Sequence, residues 1–413
     1  MGKDLQRLIQ DPNLLPSEKQ DLLLRVAAEA AAMNMPCYLV GGFVRDLLLE
    51  RPVNDFDIVV EGNAIRLGKA LVKQYGGRLT THEKFKTAIW KYSGEEYLDL
   101  ITARSETYES PGELPTIQPS TIGEDLKRRD FPINAMAIRI GDTARLLDPL
   151  NGQNDLAAGL IRVLHPKSFI DDPTRIFRAI RYEGRYGFKI ETGTLKLIDI
   201  ESLAVLGKLS GERVRHELDL IMDEDAAPQM LTRASELGIF DALVPALPKL
   251  NTAYADSFGV LPPEEFKIPA NRVLLGYLLW LTDSPVVLVE SLAKRLDFTA
   301  DLRDAAIAAI QLKSDLPVLA GAKPSIWTER LDGTPLISVY AGWLVSKEPA
   351  LREYLTKWRH VRAATTGDDL KAMGIPAGPR YREILSRLRA ARLDEEIKDA
   401  NEELNLLKRF TSS

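Results

Sequence analysis

The stretch CYLVGGFVRDLLLERPVNDFDIVV, Cys37 to Val60, decides the fold class. CYLVGG is a short apolar run that ends in Gly41-Gly42 and reads as a strand entering a glycine turn. FVRDLLLE then has helical spacing, and FDIVV is short and β-branched, so a second strand follows. Downstream, NAIRLGKALVKQYGG (Asn63 to Gly77) is amphipathic with a Gly-Gly stop. AIWKY and EYLDLITA read as two strands around a Ser93-Gly94 turn. These elements predict a mixed α/β domain ending near Asp148. Ser105 to Ser120 is rich in Pro, Glu, Ser and Thr and reads as a loop. From about Leu156 the β signal vanishes, and apolar residues recur at helical spacing, as in ILSRLRAARLDEEI. An α/β head with a mixed sheet, followed by a long all-α remainder, is therefore expected. Pro262-Pro263 and the segment Pro376 to Pro379 are candidate hinges or helix stops.

Composition narrows the class. The 413 residues are 45% hydrophobic and 27% charged, which suits a globular chain and excludes disorder or a coiled-coil rod. A net charge of −5 means that any nucleic-acid contact comes from a local basic surface. Cys37 is the single cysteine, so no internal disulfide and no cysteine-based zinc site is possible, and four scattered histidines suggest no metal site either. The most apolar stretch, Val273 to Val289, is interrupted by Asp283 and Pro285 and is too short to span a bilayer. MGKDLQRL lacks an apolar signal core, and Gln6 stands where a myristoylation signal wants Ser or Thr. A cytoplasmic protein without a membrane partner is expected. The sequence carries no signal for oligomeric state.

Three groups of residues carry chemistry. At Gly41-Gly42 the absence of Cβ lets a phosphate approach the backbone, and the following helix offers unpaired N–H groups. Arg45 adds a charged donor that Asp46 orients; a Gly-Gly pair alone is more often only a turn. In a strand, Asp55 and Asp57 point to one face, and two such carboxylates repel unless a cation bridges them. A pair of Mg²⁺ ions fits, as used for in-line phosphoryl displacement, although a bare Asp-x-Asp is also common at a solvated strand edge. Asp99 lies in the apolar run YLDLIT, where an isolated carboxylate is costly to bury; a third catalytic acid and a hydrogen-bonded core Asp are both open. In EDLKRRDFPINAMA (Glu124 to Ala137), Arg128 and Arg129 supply forked donors for phosphate oxygens. Asp130 and Asn134 are placed to fix ribose hydroxyls if they share a face, with Pro132 breaking or restarting the helix between them. The same segment is otherwise a charged surface turn.

YLVGGFVRDLLL, DFDIVV, EDLKRRDFPINAMA, DPLNGQNDL and DDPTRIFRAIRY, in that order, resemble the motifs of class II tRNA nucleotidyltransferases. That family comprises CCA-adding enzymes, their CC-adding and A-adding specialists, and bacterial poly(A) polymerases. The likeness covers roughly Tyr38 to Phe188, with a weaker echo at SGERVRHEL (Ser210 to Leu218). It implies a polymerase-β-like head over residues 1–155, a helical neck over 156–225, a body over 226–330 and a tRNA-binding tail over 331–413. It implies that Asp55 and Asp57 bind the metals, and that Gly41, Gly42 and Arg45 hold the triphosphate. Arg128, Arg129, Asp130 and Asn134 fall to the incoming nucleotide, as do Arg178 and Arg181. Three positions depart from the family pattern: Pro132 replaces Thr, Asn151 replaces a second Gly, and Asp171 replaces Glu.

The resemblance makes Asp172 and Arg175 an amino-acid template for the base. Three apart, they lie on one face if both are helical. Asp accepts from an exocyclic amine and Arg donates to a ring acceptor, a pair offered by cytosine and adenine but not by uracil or guanine. Asp172-Pro173 also reads as a helix cap followed by proline at the first helical position. Arg175, Arg178, Arg181 and Arg185 form a basic helical stripe with Tyr182, Tyr186 and Phe188 interleaved, which suits stacking on RNA bases. PRYREIL (Pro379 to Leu385) and LLKRF (Leu406 to Phe410) are further phosphate contacts in this reading. The implied reaction is attack of a tRNA 3′-hydroxyl on the α-phosphate of CTP or ATP at two Mg²⁺ ions, with Asp99 assisting. The partners are the tRNA 3′ end and those nucleotides. A poly(A) polymerase, a nucleotidyltransferase acting on a protein or small molecule, and a non-catalytic RNA-binding protein are the rivals. The segment Thr102 to Ser120 is the candidate for the element separating CCA-, CC- and A-adding branches.

Overall fold

Strand β1 (Cys37–Val40) is buried at all four positions, as an apolar run without alternation requires. It lies inside a seven-stranded sheet. A computed structural model describes residues 5–411, except 54–55, 95, 142–143 and 248. The chain divides into two compact units, Met1–Leu209 and Ser210–Ser413.

In the first unit, helices α1 (Leu5–Gln10) and α2 (Ser17–Ala32) precede β1, and α3 (Gly42–Leu48) follows it. Next come β2 (Asp57–Val60), α4 (Ala64–Tyr75), β3 (Arg78–His82), β4 (Thr87–Ser93) and β5 (Glu96–Thr102). Strands β6 (Arg104–Thr107) and β7 (Thr116–Pro119) lead to α5 (Ile122–Lys127), then β8 (Ala137–Arg139) and β9 (Arg145–Leu147). Helices α6 (Gly152–Ala158), α7 (Ser168–Asp171) and α8 (Thr174–Tyr186) complete the part that builds the site. The sheet order is β3-β4-β5-β2-β1-β8-β9. Among the described residues only the β2–β5 pairing within it is parallel, and α4 lies in the crossover that a parallel pair needs. Asn63 caps α4 by accepting the Arg66 N–H at 2.9 Å. The helix buries Ile65, Leu67 and Leu71.

The head is therefore mixed α/β, as expected, but four features differ from the sequence reading. Ser105 to Ser120 is not a plain loop: β6 and β7 pair from Arg104↔Pro119 to Thr107↔Thr116, and their mostly polar residues gave no apolar alternation to read. Strand β3 has four exposed positions of five, while β8 and β9 have three residues each, too few to show a period. The β structure does not end at Leu156, since Leu160–Ile161 and Lys189–Ile190 form a two-residue parallel ribbon.

The second unit is helical, as expected. The apolar stretch Val273 to Val289 forms parts of two helices, Arg272–Leu281 and Val286–Arg295, with Leu275 to Leu281 buried. Among the described residues no helix is long and apolar enough to cross a membrane. ILSRLRAARLDEEI lies mostly within helix Pro379–Leu393, whose Ile384 and Leu388 pack with Leu370 and Leu407.

Candidate functional site

Three strands bring the first acids and the glycine turn together. Asp57 opens β2 and is the lateral partner of Asp99 in parallel β5, so both side chains point to one face of the sheet, with backbones about 4.7–4.9 Å apart. The antiparallel register Leu39↔Ile58, continued by one residue, sets Val40 beside Asp57 and leaves Gly41-Gly42 at the same edge. Asp55 lies outside the described residues. Two neighbouring carboxylates are hard oxygen donors of the kind Mg²⁺ prefers, so the donor chemistry at Asp57 and Asp99 fits that ion. Among the described residues, no group of three His, Cys, Asp or Glu is gathered to hold a metal.

Gly41 has φ +62°, which favours glycine. A Cβ there would also lie 2.7 Å from Arg129 Nη1. The N–H groups at the start of α3 that follow this turn have no intrahelical acceptor and face the turn. Arg45, one turn into α3, is buried. Its Nε and Nη2 donate to the two carboxylate oxygens of Asp46 at 2.9 Å, and its Nη1 donates to Asn134 Oδ1 at 2.6 Å. Tyr182 and Tyr186 cover the guanidinium, with ring centroids at 5.1 and 4.7 Å. Burial opposes its charge, but Asp46 and the two tyrosines outweigh that and hold its pKa above the usual value.

Arg128 and Arg129 share a buried acid that sequence reasoning missed, Asp125. The spacing Asp125–Arg128–Arg129 at i, i+3 and i+4 was the available signal. Burial raises the Asp125 pKa, yet Arg129 and Arg128 overcome it and depress the group below 3.8.

Pro132 does restart a helix, as a 3₁₀ turn over Pro132–Asn134. Asp130 and Asn134 meet without a shared α-helix: Asn134 Nδ2 donates to Asp130 Oδ1 at 3.0 Å, and the Phe131 N–H does so at 2.8 Å. Arg178 Nε donates to Asp130 Oδ2 at 2.7 Å. A continuous chain therefore runs Arg178–Asp130–Asn134–Arg45–Asp46, and Tyr186 Oη closes it by donating to Asp46 Oδ1 at 3.0 Å. Burial pushes the Asp130 pKa up, but Arg178 and Asn134 bring it below 3.8 overall. A depressed carboxyl stabilises the fold above its unfolded pKa, and that contribution is lost as pH falls through its folded value. Asp130→Asn is thus expected to be less stable than wild type in urea at pH 7. The gap should close as pH falls below 3.8; a gap that stays constant down to strong acid would contradict the ion-pair assignment.

DPLNG braces this turn from below. Asp148 accepts the N–H groups of Gly152 and Gln153 at 2.6 and 3.0 Å. Asn151 has φ +58°, which Asn tolerates, and this explains how it replaces glycine. A Cβ on Gly152 would lie 2.2 Å from the Pro132 carbonyl oxygen. Gly152→Ala is therefore expected to cost about 1–3 kcal/mol and to weaken nucleotide use, because the turn carrying Asp130 and Asn134 must shift. Thermal melting and nucleotide KM measure this; an unchanged melting temperature would contradict the close approach.

The neck element differs most from its sequence reading. Asp172 is extended (φ −138°, ψ 92°) and precedes α8, so it and Arg175 do not share a helix face. The proline after it fixes the break. Asp172 is not the cap residue either: α8 starts at Thr174 with Pro173 at its N-cap, and Asp172 Oδ1 accepts the Thr174 N–H at 3.2 Å and its Oγ1 at 2.7 Å from one position further out. Arg175 is 5% exposed and donates to Ser168 Oγ at 2.8 Å and the Arg128 carbonyl at 2.9 Å. The arginine stripe is not a solvated face. Arg175 and Arg181 are buried, Arg178 is bound to Asp130, and Arg185 alone of the four is exposed. Nor do Tyr182 and Tyr186 form an open stacking platform, because Tyr182 packs edge-on against Phe131 at 5.8 Å and both cover Arg45. In the second unit, Arg380 Nη2 donates to the Phe410 carbonyl at 3.3 Å, joining the two C-terminal basic segments.

Residues 37–162 match the poly A polymerase head domain, and residues 187–250 match the probable RNA and SrmB- binding site of polymerase A. An A-adding tRNA nucleotidyltransferase from Geobacter sulfurreducens is 33% identical over 97% of this chain and 48% of its own length. The A-adding tRNA nucleotidyltransferase of Halalkalibacterium halodurans is 40% identical over 56% of this chain and 55% of its own. The chain thus spans about half the length of these curated relatives. A solved CCA-adding enzyme in its apo form II superposes with a TM-score of 0.85 at 30% identity, covering 100% of this chain and 99% of that one. With the head strands, glycine turn and neck element all present in order, the chain belongs to the class II tRNA nucleotidyltransferase and poly(A) polymerase family.

Proposed function

We propose that this chain is a template-independent nucleotidyltransferase that adds C and/or A to the 3′ end of tRNA, releasing pyrophosphate. The observation that carries the reading is the register that sets Asp57 beside Asp99 at the edge holding Gly41-Gly42. Asp57 and Asp55 would hold Mg²⁺, which would activate the 3′-hydroxyl and offset charge on pyrophosphate, and Asp99 would assist as a third carboxylate that orients or deprotonates the hydroxyl. The N–H groups at the start of α3, with Arg129 and Arg45, bind and orient the triphosphate. Asp130 and Asn134 fix the ribose, and their tie to Arg178 couples that turn to the neck helix. Asp172 and Arg175 select the base, Asp172 by accepting from an exocyclic amine and Arg175 by exchanging a neutral partner for a ring acceptor. The neck, body and tail divide the helical remainder, and the tail binds the tRNA body.

The test offers tRNAs ending before the first C, after one C and after both, each with a single nucleoside triphosphate and Mg²⁺. Extension with CTP or ATP and no extension with UTP or GTP is expected; no incorporation on any substrate would overturn the proposal. The A-adding relative aligned along 97% of the chain favours a second, narrower reading. There, only the tRNA ending in CC is extended, and only by ATP.

A further inference from the structure

We infer that Asp125 is a positioning residue that holds Arg129 over the Gly41-Gly42 turn while Arg128 braces the pair. This rests on the triphosphate reading of that turn. Asp125 is 0% exposed and divides its oxygens between the arginines. Oδ1 accepts Arg128 Nε and Nη2 at 3.0 and 2.8 Å, and Oδ2 accepts Arg129 Nε and Nη2 at 3.3 and 3.0 Å. The third nitrogen decides the roles. Arg128 Nη1 donates to Glu106 Oε1 at 3.0 Å, so all three of its nitrogens serve acids. Arg129 Nη1 instead sits where a Cβ on Gly41 would be 2.7 Å away, at the edge of the site. Two adjacent guanidiniums repel each other, and Asp125 with Glu106 neutralises that repulsion. The Arg104 N–H, at 3.2 Å from Asp125 Oδ1, fixes the acid in turn. A planar guanidinium gripped through Nε and Nη2 has its Nη1 aimed, and a flexible ammonium would not.

The experiment measures nucleotide KM and kcat for wild type, Asp125→Asn, Arg129→Ala and the double variant, with melting temperatures alongside. Wild-type turnover tests the functional reading separately: if it is absent, that reading fails and not this one. Asp125→Asn is expected to raise the nucleotide KM about 10–100-fold, and the double variant to be no worse than Arg129→Ala alone. An equal KM increase in both backgrounds, or a lowered melting temperature with unchanged KM, overturns the inference. Arg129→Lys tests it with the buried acid intact: it is expected to lose as much as Arg129→Ala, and a lysine that preserves KM overturns it.

Discussion

Asp57→Ala is expected to stop nucleotide addition, lowering the rate at least about 10³-fold, while tRNA binding persists. Asp57 is the described carboxylate at the start of β2, laterally paired with Asp99, and the glycine turn shares its edge of the sheet. Divalent ions held at such an edge stabilise several kcal/mol of developing charge, and each 1.36 kcal/mol is about tenfold in rate. The side chain is at the edge of the core rather than inside it, so its loss leaves β2 packed through Ile58, Val59 and Val60. Asp55→Ala is expected to act alike. Labelled-nucleotide incorporation with Mg²⁺, beside a gel-shift measurement of tRNA affinity, reads both effects. Near-normal incorporation by Asp57→Ala would mean the chemistry is elsewhere.

Replacing Asp172 and Arg175 together by apolar residues is expected to relax base choice before chemistry is lost. A site that offers one acceptor and one donor rejects a mismatched edge by leaving buried polar groups unpaired, a discrimination of up to about 10⁴–10⁵. Arg175 donates charge-assisted hydrogen bonds to neutral partners, the Ser168 hydroxyl and the Arg128 carbonyl, and a ring acceptor would replace one of them like for like. Asp172 is a carboxylate acceptor at the entrance to the same helix, its Oδ1 bound by Thr174. The double variant should accept UTP and GTP at rates approaching those for CTP and ATP. An unchanged preference among the four nucleotides would refute the template. Loss of all activity with an altered melting temperature would place both residues in the fold instead.

Legibility in the sequence followed local signal strength. CYLV, FDIVV and NAIRLGKALVKQY were readable because burial imposes an uninterrupted or periodic apolar pattern on them. Strand β3 (RLTTH) was not, because an exposed edge strand needs no apolar face. Candidate site residues were legible as types at spacings, but their partners were not. Asp125 looked like one acid in a charged helix turn, and only tertiary folding shows it fully buried beneath two arginines. The arginine stripe misled for the same reason. Periodicity reports that residues share a face, not whether that face meets water or buried acids. Arg178 meets Asp130 across 48 residues of sequence, a separation no local pattern encodes.

A crystal structure with Mn²⁺ in place of Mg²⁺ and a non-hydrolysable ATP analogue examines the metal-holding edge directly through anomalous scattering. Metal peaks about 2.0–2.2 Å from the carboxylates of Asp57 and Asp55, with the triphosphate on the Gly41-Gly42 turn, are the expected result. Peaks bound elsewhere, or a nucleotide seated away from that turn, would contradict a nucleotidyltransfer centre at this edge of the sheet.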